Sequence, residues 1–169
     1  MGIVVIIVSM LVVVGSFMWM RPSPRDQYLS KIRSKALMTG FRIGSMKVPD
    51  TSEEGRISEI KRIVTTYAKN LEVIKGRSLG YTVIRTSGEA GIYLPDGWQW
   101  HEREDMPQAL MEQAALLVKP LPLSITLITV SDSQAALSWD EKDPQVTFDT
   151  LSQILSHAAS LVNRKIQGE

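Results

Sequence analysis

The sharpest chemical pattern in these 169 residues is Gly76-Arg77-Ser78-Leu79-Gly80, which fits the G-x-S-x-G spacing of a hydrolase nucleophile elbow. Acids such as Asp132 and Asp149 follow, and then His157, in the chain order of a Ser-Asp-His triad. An elbow places its serine on a strand-to-helix turn, so that the hydroxyl stands clear of the sheet. Here the pentapeptide runs into Tyr81-Thr82-Val83-Ile84, a strand pattern, and no glycine cluster precedes it to build an oxyanion hole. The sequence therefore predicts a simple turn, and a membrane-tethered hydrolase using Ser78 is the weaker alternative. The other cluster is Trp98-Gln99-Trp100-His101-Glu102-Arg103-Glu104-Asp105, where an imidazole and carboxylates could hold a metal or exchange protons. Its histidine has no second His or Cys at ligand spacing. The expected reading is a strand end followed by acids at a helix start, where the helix dipole favours them.

With no cysteine in the chain, disulfides, thiolate metal sites and cysteine nucleophiles are excluded. Neither a Walker loop nor a G-x-G-x-x-G fingerprint occurs. The sequence thus predicts no catalytic residue, no cofactor and no metal, and a non-enzymatic protein.

Charge is distributed unevenly. Residues 1–20 carry none, 21–47 hold seven Lys/Arg against Asp26, and 48–169 hold 12 Lys/Arg against 17 Asp/Glu. A mildly acidic domain on a basic collar argues against nucleic-acid binding, which wants a basic face.

The run Ile3 to Met20 is 18 residues without a charge, about 27 Å of helix at 1.5 Å per residue. Eleven of these are Ile, Val, Leu or Phe, together contributing roughly −3 to −7 kcal/mol to insertion. Before the run stand only Met1 and Gly2, and bulky Phe17, Met18, Trp19 and Met20 close it, so neither end resembles a cleaved signal peptide. The expectation is a transmembrane helix over 1–20, with Trp19 at the headgroup level. Arg21, Arg25, Lys31, Arg33 and Lys35 all follow it and no cation precedes it. By the positive-inside rule the N-terminus lies outside and the domain in the cytoplasm of a bacterial inner membrane.

Pro22 and Pro24 stop that helix, and Ser23 or Asp26 can cap a second one over the collar, 21–40, with Gly40 as its C′ residue. Tyr28, Leu29, Ile32 and Ala36 share a face, which suits either the bilayer surface or the domain. The domain, 41–169, begins with a strand from Phe41 to Val48. Ile57, Ile60, Val64, Tyr67 and Leu71 recur at helical steps and predict a helix, against a β-branched composition. Strands follow over Gly80–Thr86 and Gly91–Leu94, and Pro95-Asp96-Gly97 marks a turn. Trp98 and Trp100 then share one side of a strand, and Asp105 caps a helix with Gln108 as its partner. A strand pair, Leu123–Val130 and Ala135–Trp139, precedes a long amphipathic helix over Thr147–Ile166 capped by Thr147. Together these give an α+β fold: an N-terminal transmembrane helix plus a small domain with a mostly antiparallel sheet packed by helices.

The stretch Met20-Arg21-Pro22-Ser23-Pro24-Arg25, with Leu29, Arg33, Ala36 and Gly40, resembles a group of uncharacterised gammaproteobacterial single-pass inner-membrane proteins. The Leu94-Pro95-Asp96-Gly97-Trp98-Gln99-Trp100 turn and the final hairpin are similar to that group too. Some of its members are labelled relatives of YajC, an accessory subunit of the preprotein translocase, although the Gly-Asp-x-Val-x-Thr segment of YajC is missing here. The resemblance implies a translocase accessory role as an alternative. From the residues themselves the expected function is that of a membrane-anchored protein whose cytoplasmic domain binds another protein. The bilayer is its other partner, and Trp98 and Trp100 are candidate contacts because exposed tryptophans often carry interface energy.

Overall fold

A computed structural model describes residues 2–19, 22–50, 61–72, 79–88, 90–103 and 105–167, with the side chains of 17–19 left out. It divides into two compact units, 1–34 and 35–169.

The first unit holds helix α1 (Gly2–Trp19) and most of α2 (Pro24–Met38). Of the two expected caps, Ser23 and Asp26, it is Ser23 that caps α2: its Oγ accepts the Asp26 N–H at 3.1 Å and donates to the Asp26 carboxylate at 2.6 Å. The opposite end of α2 belongs to the second unit. Gly40 has φ +81°, the Gly40 N–H reaches Leu37 O at 3.2 Å, and the Phe41 N–H reaches Ala36 O at 3.0 Å. These are the two bonds of a Schellman stop with Gly40 at C′, as expected. A Cβ at Gly40 would meet nothing within 4 Å, so Gly40→Ala tests backbone strain alone. It should cost about 1–2 kcal/mol in a urea melt.

The second unit is built on a six-stranded sheet in the order β1-β2-β6-β5-β3-β4, with every neighbouring pair antiparallel. Its strands are β1 (Arg42–Pro49), β2 (Lys61–Asn70), β3 (Tyr81–Arg85), β4 (Trp98–Arg103), β5 (Ile125–Val130) and β6 (Gln134–Trp139). Helices α3 (Gln108–Val118) and α4 (Phe148–Ser160) complete it, so the α+β class and the antiparallel sheet are as expected. α4 buries Leu151, Ile154, Leu155, Ala158 and Ala159 and packs on β5, β6 and α3. Beneath it lie Val83, Ile128, Leu137 and Tyr67, which alternation and register place on one face. On the opposite face Val48, Ile84 and Leu127 form a second cluster, with Met46 and Val64 against it. One hydroxyl ties sheet to helix: Tyr81 Oη donates to Ala158 O at 3.0 Å, and burial pushes this phenol far above its ordinary pKa. Tyr81→Phe should lower stability by about 1 kcal/mol, read as a shift in the urea midpoint.

Several expected elements differ. The helix expected around Val64, Tyr67 and Leu71 is instead strand β2, with Ile57 and Ile60 outside the described residues. Only the middle of β2 is covered on both faces, with Thr66, Tyr67 and Ala68 all buried, while Ile63 is exposed, so no single two-residue rhythm runs through its sequence. Its four consecutive β-branched residues, Ile63 to Thr66, were the better signal. Gly91–Leu94 is a turn, with the Leu94 N–H on Gly91 O at 2.9 Å, not a strand. The cap of α3 is Pro107 with no side-chain bond, so Asp105 does not fill that role; Gln108 bonds Glu112 instead.

The last helix keeps its Thr147 cap, which accepts the Thr150 N–H at 3.2 Å, but ends at Ser160 and not Ile166. Asn163 takes φ +56°, the Arg164 N–H closes on Ala159 O at 3.0 Å, and the chain reverses to pair Ile166 with Leu71 beside β2. Thr147→Ala should destabilise by about 1 kcal/mol, measured the same way.

Among the described residues no helix is long and apolar enough to cross a membrane.

Candidate functional site

α1 carries the most unusual surface in the protein. Ile3 to Val8 and Met10 to Val14 are eleven apolar residues, each at least 52% exposed. Successive residues step 100° around a helix, so this run presents hydrocarbon on every side and leaves no polar face for water. Ser16 satisfies its hydroxyl on the helix itself, its Oγ donating to Val12 O at 2.8 Å. Leaving such side chains in water costs roughly 1–2 kcal/mol each, on the order of 10–20 kcal/mol for the run. Helical backbone is already hydrogen-bonded internally, which is the condition for life in an apolar medium.

The collar is less uniform than its sequence suggested. Arg25 and Lys31 are exposed on α2, and Arg33 is half-buried with a partner. Lys35 is exposed, but its ammonium stands 6.0 Å over the Phe148 ring, inside the second unit. Ala36 next to it is fully buried, so the end of the amphipathic face packs on the domain. Arg21 and the Trp19 side chain lie outside the described residues. The aromatic group behind Lys35 comprises Phe41, Tyr67, Trp139 and Phe148, whose ring centroids lie 5.7–6.4 Å apart.

The two tryptophans separate. Trp98 is 2% exposed, and the Arg85 guanidinium stacks 4.6 Å from its ring centroid. That guanidinium also donates from Nε to Ile125 O at 3.1 Å and from Nη2 to Pro122 O at 3.1 Å, and burial lowers its pKa. Trp98 is therefore core, and the expectation that it offers a partner contact is corrected. The reason is local: Gly97 at φ +81° turns the chain so that Trp98 enters β4 opposite Arg85. Trp100 is half-buried, 6.2 Å from Tyr81 edge-on, and its indole N–H donates to Ile92 O at 2.9 Å. It braces the turn that exposes Ile92 and Tyr93, a pair the sequence did not single out. Tyr93 sits at φ +64°, unusual for a bulky residue, and only the folded turn reveals it.

Of the expected catalytic pattern, Gly76, Arg77 and Ser78 lie outside the described residues. Asp132 is on the β5–β6 turn beside Arg164, Asp149 is in the first turn of α4, and His157 is on the exposed side of that helix. His101 is half-buried on β4, and no group of His, Asp or Glu among the described residues could hold a metal ion. One open cleft of about 480 Å³ lies at the ends of β3, β4 and β5, lined by Thr82, Glu102, Arg103, Thr129, Ser131 and Asp132 among others. Its two threonine hydroxyls bond each other at 2.8 Å, and neither histidine lines it. Among the described residues that line it, it offers carboxylates, hydroxyls and a guanidinium.

What the geometry defines is a small antiparallel α+β domain preceded by a helix clothed in hydrocarbon. This chain matches no family model, no curated protein and no solved structure, so the resemblance of its collar and turn to the inner-membrane group stands on those residues alone.

Proposed function

We propose that this protein is a non-enzymatic membrane-tethered adaptor. α1 spans a bacterial inner membrane with its N-terminus outside, and the α+β domain on the cytoplasmic side engages another protein. The observation that carries this reading is the all-round exposure of eleven apolar side chains on α1. Such a surface is stable in lipid and strongly unfavourable in water. The remaining uncharged residues to Met20 extend it in sequence to about 27 Å. Five Lys and Arg residues follow the run within 15 positions, which supports the orientation.

The test is carbonate extraction of native membranes, combined with fusions at Glu169. The chain should stay in the pellet, and a reporter active only in the periplasm should be silent while a cytoplasmic one is active. Release into the supernatant removes the anchor, and an active periplasmic reporter reverses the topology.

A further inference from the structure

We propose that the outer edge of β1 docks an extended acidic segment of the partner protein, which joins the sheet as an added strand. This rests on the reading that the domain binds protein, and specifies how. An open sheet has two edges whose outward N–H and C=O groups are a template for further pairing. Here the two edges are treated differently. β4, at one end, is six residues long, its register with β3 shifts between Thr82 and Val83, and the Gly91 N–H takes up Trp98 O at 2.9 Å. These are the devices that blunt an edge. β1, at the other end, pairs with β2 in unbroken register from Arg42↔Ala68 to Pro49↔Lys61, and no further strand joins it among the described residues. Arg42, Gly44, Ser45 and Lys47 on it are exposed.

Charge selects the occupant. β1 and β2 together carry Arg42, Lys47, Lys61, Arg62 and Lys69 and no carboxylate, in a domain that is acidic from residue 48 onward. Lys69 is turned to Ser152 and to the Phe41 ring, while Arg42 and Lys47 stand on the edge strand itself. A second copy would set the same cations against them, which disfavours self-pairing. An anionic lipid surface supplies charge but no backbone partners for a strand ladder. An acidic strand supplies both, in the manner of β-augmentation. Arg42 and Lys47 are five positions apart, hence on opposite faces, so the matching strand has two acids at that same spacing.

The probe is a fluorescent octapeptide, Thr-Glu-Val-Thr-Val-Thr-Glu-Thr, titrated against the full chain in neutral detergent and read by anisotropy. Saturable, salt-sensitive binding is expected, weakened on the order of tenfold by joint Arg42→Glu and Lys47→Glu, with an unchanged melting midpoint showing that the domain still folds. Methylating one alternate set of peptide nitrogens should abolish binding, and methylating the other set should leave it intact, because only one edge of an added strand pairs. Absence of saturable binding, or equal effects of the two methylated peptides, overturns the proposal. So does charge-dependent binding to phosphatidylglycerol vesicles without peptide binding, which would assign the cations to lipid. Crosslinked purification of the tagged chain from membranes separates the two levels. A stoichiometric partner linked away from β1 ends the edge proposal alone, and recovery of the chain with no partner ends the protein-binding reading itself.

Discussion

Joint Val8→Arg and Val12→Arg should move the protein from the carbonate-resistant pellet to the supernatant. The two positions are 54% and 63% exposed and lie one turn apart near the middle of α1. On the insertion scale each valine contributes roughly −0.3 to −0.6 kcal/mol, and a central arginine costs about 2.5 to 3.5. The pair therefore shifts insertion by roughly 6–8 kcal/mol, as large as the −3 to −7 kcal/mol estimated for the whole run. A Val8→Leu, Val12→Leu control keeps the hydrocarbon surface and should stay in the pellet. Retention of the double arginine chain in carbonate-washed membranes would mean that something other than α1 holds it there. The domain should keep its fold in the variant, since the second unit has its own sheet and core.

The second large effect is expected at Trp98. Trp98→Ala removes a side chain that is 2% exposed and leaves a cavity beside Arg85, so a loss of about 3–5 kcal/mol is expected. The stacked guanidinium then loses its aromatic face, worth about a further 1 kcal/mol. Trp100→Ala should cost less, under about 2 kcal/mol, because that ring is only half-buried and one indole bond is lost. Urea midpoints for both variants, followed by tyrosine-region circular dichroism, give the comparison. Equal midpoints for the two would contradict the division of labour between a core tryptophan and a bracing one.

Much of the fold could be read where one physical rule acted alone. The Gly40 stop and the Thr147 cap depend on residues next to them in sequence, and both were found where expected. The β5–β6 pair was visible because Ser131 to Gln134 is a turn between two apolar runs, and the structure closes it with the Ser131 N–H on Gln134 O at 2.9 Å. Failures came where a distant partner changed the rule. β2 lost its alternation because Thr66 to Ala68, on both of its faces, are buried in succession. Arg164 carries a charge that would ordinarily stay in water, yet it is buried. There it donates to Asp132 O and, at 3.4 Å, to Glu72 O, partners 32 and 92 positions away.

The candidate site divides along the same line. The sequence alone determined an uncharged apolar run with cations on one side, because hydropathy and charge are properties of side chains and need no fold. It also determined the α+β class, through periodicity and turn residues acting over a few positions. Tertiary structure decided which tryptophan is core, which lysine is spent on an aromatic ring, and which strands end the sheet. Burial and edge position are set by what lies across space, and strand order joins β2 to β6 over more than sixty intervening residues, a pairing no local pattern encodes.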